Sequence, residues 1–175
     1  MSNSMMSQYK RALKRSLDIE RELEDLPDGY ISSKVIYGKT QHYLQKRVGK
    51  KIVGKYIPDD EVGAVKQGLS KRTILTSELA EVNARISELE AAARLVSIKT
   101  YNSCLLLKVC MPMEHLNQEN RRKASSFAHS MNAVEGVYAT EETQISVSRW
   151  IDGEETFLSV YESTLKKYGF PVEGR

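Results

Sequence analysis

Two glycine-centred gaps decide the middle of this chain. Residues 30–57 read YISSKVIYGKTQHYLQKRVGKKIVGKYI, three runs rich in β-branched and aromatic residues, parted at Gly38-Lys39 and at Gly49-Lys50. A two-residue gap containing glycine is a hairpin signal, because the turns that match the twist of two paired strands need positive φ. The stretch is therefore expected as a three-stranded antiparallel meander. One small sheet cannot bury two faces, so another part of the chain must cover one of them.

The flanking sequence supplies helices for that purpose. Residues 5–26 place Leu13, Leu17, Glu20 and Leu23 at near-heptad spacing, with charge between them. Pro27-Asp28-Gly29 then stops the helix: proline brings no donor, and glycine accepts positive φ. After the meander, Pro58-Asp59-Asp60 suits a helix start, where the dipole favours acids. From there to Val96 the apolar positions Leu75, Leu79, Val82, Ile86, Leu89, Ala93 and Val96 alternate in steps of four and three, a seam of three heptads. Upstream, Gly68 and Arg72 interrupt it. The seam is expected to pair with the N-terminal helix as a hairpin over the sheet, or else to join two copies of the chain in a homodimer through residues 75–96.

Composition narrows the class. The chain has 175 residues, 41% hydrophobic and 28% charged, with a net charge of +3. That is the profile of a water-soluble protein with one domain or two small ones. No apolar run is long enough to span a bilayer, and the N-terminus lacks the apolar block of a signal peptide. The two cysteines, Cys104 and Cys110, flank LLLKV with no other ligand cluster nearby, and are expected as buried thiols in a reducing, cytoplasmic setting. His42, His115 and His129 are scattered, and no metal-ligand spacing, phosphate loop or nucleophile elbow occurs. No cofactor and no enzymatic activity are expected. Residues 97–116 could hold a buried strand or the tail of a helix, and Pro112 ends that element; the stretch is taken as a connector.

The meander is strongly basic. Lys34, Lys39, Lys46, Arg47, Lys50, Lys51 and Lys55 share it with Gln41, Gln45 and several tyrosines, and no acid occurs between Tyr30 and Pro58. Lysines here could neutralise phosphates while Gln41, Gln45 and Arg47 reach base edges. Equally, lysine protects the edges of a small exposed sheet from pairing with other chains, or could meet an acidic partner.

Residues 117–169 hold three helix-sized segments, each closed by a glycine, at Gly136, Gly153 and Gly169. In the first, Phe127, Met131 and Glu135 fall four apart and share one helix face, so a carboxylate stands at the end of an apolar stripe. The small-residue-rich helix ending Val134-Glu135-Gly136, a second helix from a cap at Thr140 to Trp150-Ile151-Asp152-Gly153-Glu154, and a third carrying Phe157, Val160, Tyr161 and Leu165 resemble the VbhA-like antitoxins, over roughly Arg121 to Gly169. Members of that family inhibit Fic-domain AMP-transferases through a helix with the pattern [S/T]-x-x-x-E-[G/N]. Its glutamate pairs with an arginine of the Fic active site and keeps ATP from binding productively.

Carried over, the resemblance makes Glu135 the inhibitory carboxylate and Gly136 the residue after it. Met131 stands where the hydroxyl residue would be, with Ser130 one place earlier. Phe127, Ala124, Ala128 and Trp150 are the expected partner interface. The chain has no H-P-F-x-x-G-N-G-R motif, so inhibition would act in trans on a separate toxin. Without such a partner, Glu135 would be an ordinary acid at the end of a helix in a three-helix core. The expected architecture is α+β: residues 1–100 as helix, basic meander and long helix, 101–116 as connector, and 117–175 as the antitoxin-like module. The expected partners are a Fic-type toxin and, from the charge of the sheet, operator DNA. The competing expectation is a DNA-binding or adaptor protein whose C-terminal helices only pack or dimerise.

Overall fold

A computed structural model of the chain describes residues 2–136, 138–167 and 169. Its order is α1 (Ser2–Glu24), β1 (Tyr30–Ile36), β2 (Lys39–Val48), β3 (Lys51–Ile57), α2 (Val62–Val96), α3 (Ile98–Glu114), α4 (Gln118–Val134), α5 (Glu141–Asp152) and α6 (Phe157–Lys167). This is the expected α+β arrangement, with the end of the 117–175 module outside the described residues. The chain divides into two compact units, Arg15–Arg85 and Met1–Lys14 with Ile86–Arg175.

In the Arg15–Arg85 unit the sheet has the order β1-β2-β3 and is antiparallel throughout. The first hairpin turns at Tyr37-Gly38, one residue earlier than the sequence suggests. Both residues take positive φ, 50° and 75°, as a type I′ turn requires. The second turns at Gly49-Lys50, as expected, with positive φ at Gly49 alone, at 62°. Ile19, Ile57, Val62 and Leu75 form the buried apolar set of this unit.

The α1 and α2 segments here run antiparallel, which three contacts record. Arg15 donates two hydrogen bonds to Glu78, at 2.6 and 2.8 Å, Ser16 donates to Asn83 at 3.0 Å, and Lys71 pairs with Glu22 at 3.0 Å. The two interruptions in the α2 seam acquire reasons. Arg72 donates to the carbonyls of Leu23 and Leu26, at 2.8 and 3.1 Å, and so ties down the chain at the end of α1, where the Leu23 carbonyl otherwise has only a long bond from the Leu26 amide at 3.4 Å. Gly68 lies under the turn: a Cβ there would stand 2.7 Å from the ring carbons of Pro27. Gly29 is tied more tightly still, since its φ is 124° and a Cβ would meet the Gln45 carbonyl at 2.1 Å. Only glycine can let the chain pass from α1 into β1 so close to the central strand.

In the other unit, Tyr9, Leu13, Ile86, Leu89, Ala93, Cys104, Leu107, Cys110, Trp150 and Val160 are the buried apolar residues. Tyr9 donates to Glu90 at 2.8 Å, and Lys108 meets the same carboxylate at 2.9 Å. Leu75, Ile86, Leu89 and Ala93 are buried within the chain itself, so the seam is engaged as an intrachain hairpin; Val96, its last member, is exposed. The homodimer expected through residues 75–96 would have to displace these contacts.

The 97–116 stretch is helix α3. Ser97 caps its start, accepting from the Thr100 amide at 3.0 Å, and Pro112 lies in its last turn. Far from being a linker, it buries Cys104, Leu107 and Cys110 and packs against α6. Glu114 at its end accepts the Leu158 amide at 3.2 Å, near the start of α6. Apolar spacing could not reveal this, because CLLLKVC fits a strand and a helix equally well. Both cysteines are free and buried, and burial raises both thiols, Cys110 to about 11.

Candidate functional site

Two surfaces gather the residues singled out by the sequence, one in each unit. The first is α4. Asn117 caps it, accepting from the Asn120 amide at 2.8 Å. Its first turn is held by Arg121, whose guanidinium donates to the carbonyls of Glu114 (3.0 Å), Leu116 (2.9 Å) and Trp150 (2.7 Å). The same group sits 5.6 Å from the centre of the Trp150 ring. One side chain thus closes the carbonyl ends of α3 and α5 and fixes the base of α4 to both.

Beyond that base, α4 touches little. None of its residues is buried. Phe127 is 69% exposed, Met131 50% and Val134 85%. Ala124 is half-buried and Ala128 exposed. Ser130 turns its hydroxyl back to the Ser126 carbonyl at 2.9 Å, within its own helix. The last turn tightens, with the amides of Glu135 and Gly136 bonded three residues back, to Asn132 and Ala133 at 3.1 Å each. Glu135 is the C-cap and Gly136 follows at φ 71°. Phe127, Met131 and Val134 therefore form the apolar stripe, with Glu135 at its exposed end and no cation on its carboxylate among the described residues.

Trp150 corrects its expected place at this interface. It is 2% exposed, edge-on to Phe157 at 5.0 Å between ring centres, and beneath Arg121. A tryptophan near a helix C-terminus signals burial as readily as recognition, and here α6 covers it. Its indole N–H has no hydrogen-bond partner among the described residues. Sequence spacing gave no hint of the Arg121 clamp, because the carbonyls it binds come from segments apart in sequence.

The second surface is the sheet. Its register sorts the cations between two faces. Lys46 and Lys55 lie on the inner face with Leu44 and Val53, beside a cleft of about 450 Å³ that Leu23 and Arg72 also line. There Asp28 draws Lys46 (3.8 Å) and Arg72 (3.6 Å). Lys51 shares that face, and Lys50 sits in the turn. Lys34, Lys39 and Arg47 lie on the opposite, outer face, with Gln41 and Gln45, as their cross-strand partners show. Gln41, Gln45 and Arg47 thus share one face, while the seven cations of the meander divide between the two faces and a turn.

Tyrosines lace the outer face. Tyr43 stands at its centre, edge-on to Tyr56 at 5.7 Å, with the Lys34 ammonium 5.6 Å from its ring centre and its hydroxyl donating to Gln41 Oε1 at 2.7 Å. Tyr30 pairs across from Gln45. Gln45 lies over Gly54, its own partner on β3.

Among the described residues, no cluster of histidine, cysteine and acids could hold a metal, and no helix is long and apolar enough to cross a membrane. Compared with models of known families, with curated proteins and with solved structures, the chain matches none.

Proposed function

We propose that the chain is a non-enzymatic antitoxin that binds a Fic-type AMP-transferase and silences it in trans, with α4 as the inhibitory helix. One observation carries the reading: the outer half of α4 presents Phe127, Met131 and Val134 to solvent, next to a carboxylate that no cation meets among the described residues. A helix whose only task is to fill a three-helix core would turn such a stripe inward. Exposed, it costs the free chain and gains only when a groove takes it.

In that groove the apolar side chains supply contact area, and Glu135 reaches the arginine of the toxin's active-site motif. A carboxylate–guanidinium pair is strong and directional when water is excluded. Occupying that arginine leaves no partner for the nucleotide's terminal phosphate. Arg121 serves from the other end, holding the helix base so that the stripe is presented without reordering. The hydroxyl of Ser130, bonded to its own helix, plays no part in this reading.

The test is co-expression with a toxin carrying H-P-F-x-x-G-N-G-R. Wild type should relieve growth arrest and suppress AMP transfer, whereas Glu135→Gly should still form a complex but lose suppression. Phe127→Ala should weaken the complex itself by about 2 kcal/mol, as a central apolar anchor does. Equal protection by wild type and Glu135→Gly would refute the inhibitory role.

A further inference from the structure

We propose that the outer face of the β-sheet binds double-stranded nucleic acid, β2 lying along the groove and its cations meeting the flanking phosphates. The surface and the unit differ from those of α4, so the proposal stands or falls independently of the antitoxin reading.

Charge is the first ground. Lys34, Lys39 and Arg47 are exposed on this face, and none has a carboxylate partner among the described residues. Residues 30–57 contain no acid at all. On the inner face, by contrast, Lys46 is already drawn to Asp28. Edge protection does not require this distribution, since Lys39 and Arg47 belong to the central strand, which has no free edge.

Spacing is the second. Alternate residues of a strand recur on one face at about 6.8 Å, so Gln41, Gln45 and Arg47 stand in a row over Lys39, with Lys39 and Arg47 about 27 Å apart. That reach covers about eight base-pair steps of 3.4 Å. Amides at the centre with cations at the ends is the layout in which phosphate contacts position a protein and central side chains meet base edges.

The tyrosines decide between a duplex and a single strand. A single-strand platform needs free ring faces on which bases stack. Tyr43, the central ring, has Lys34 over it and Tyr56 against it, and its hydroxyl is bound to Gln41. It is a support that steadies Lys34 and Gln41, not an open stacking surface. Tyr37, at the hairpin tip, is fully exposed in a left-handed conformation that asparagine or glycine adopts more easily. It lies in the turn two residues before Lys39, with its ring free of the rest of the chain.

The probe is a labelled mixed-sequence DNA duplex of about 25 base pairs, alongside its isolated strand, titrated with the full chain by fluorescence anisotropy from about 50 to 200 mM salt. The duplex should bind more tightly than the strand. Its logarithmic salt slope should be about −2.7, from three cations at about 0.9 each. Lys34→Ala and Arg47→Ala should each lower that slope by about 0.9, and Arg47→Lys should restore it. Lys51→Ala and Lys55→Ala, on the inner face, should leave it unchanged. These side chains are exposed, and thermal melts of each variant verify folding. The wild-type comparison needs no variant at all. No duplex binding at about 50 mM salt, a preference for the single strand, or equal losses from both faces would overturn the proposal.

Discussion

Arg121 does most of its work by accident of position. It follows the Asn117 cap closely enough that its side chain reaches three carbonyls at the ends of α3 and α5 and in the connection between α3 and α4, that of Trp150 being shared with the Gly153 amide. Hydrogen bonds from a charged donor are worth more than neutral ones, but helix ends can be rehydrated, which limits the loss. Arg121→Ala should therefore destabilise the chain by about 2–3 kcal/mol in urea melts. Arg121→Lys should recover only part of that, because an ammonium has its donors on one nitrogen, whereas Arg121 reaches the three carbonyls from Nε and both Nη atoms of a planar fork. A change of less than about 0.5 kcal/mol in the alanine variant would show that the clamp is ornamental.

At the scale of elements, α4 is a helix with a fixed base and an uncovered upper half. Phe127→Ser should move stability by no more than about 0.5 kcal/mol, since little is lost from a side chain already in water. Trp150→Ala, only one helix away, should cost about 3–5 kcal/mol. A loss above about 2 kcal/mol for Phe127→Ser, read by thermal melting, would mean that the stripe is packed in solution. The same contrast shows what sequence could reveal. Strands were legible because β-branched runs and glycine gaps act locally, and α4, α5 and α6 because Asn117, Thr140 and the closing glycines mark their ends. Which face of each helix is covered was not legible: Phe127 and Trp150 look alike as large apolar residues, and only the packing of α6 against α5 separates them. The division of lysines between sheet faces followed from alternation, once the strand limits were known. Gly68 and Arg72 read as flaws in a seam until Pro27 and the end of α1 stood beside them.

For the whole molecule, acids paired with cations set the response to pH. Bonds from Lys71 and Arg15 hold Glu22 below its ordinary value of 4.5, Arg15 does so for Glu78, and Lys167 for Glu142. Burial opposes the same shift at Glu90, yet Lys108 and Tyr9 still lower it. A depressed carboxylate contributes stability that is present above its unfolded value and lost as pH falls through the folded one. Tyr9 moves the other way, raised by burial and then by its bond to Glu90, and Cys110 is raised by burial to about 11. Their contributions are complete below the unfolded values and fade as pH rises past them. Urea midpoints should thus be flat between about pH 5 and 8 and decline on both sides. A midpoint unchanged down to about pH 3 would contradict the acid limb.

The chain has a single tryptophan, and it is the one beneath Arg121. Trp150 belongs wholly to the unit that carries α4, while the sheet has only tyrosines to absorb light. Indole emission is therefore a private signal from one unit, and ellipticity a shared one from both. If the two traces coincide during unfolding, α1 and α2, which belong to both units, transmit collapse from one to the other. If they part, the sheet and α4 are separately removable modules, each fit to be grafted alone.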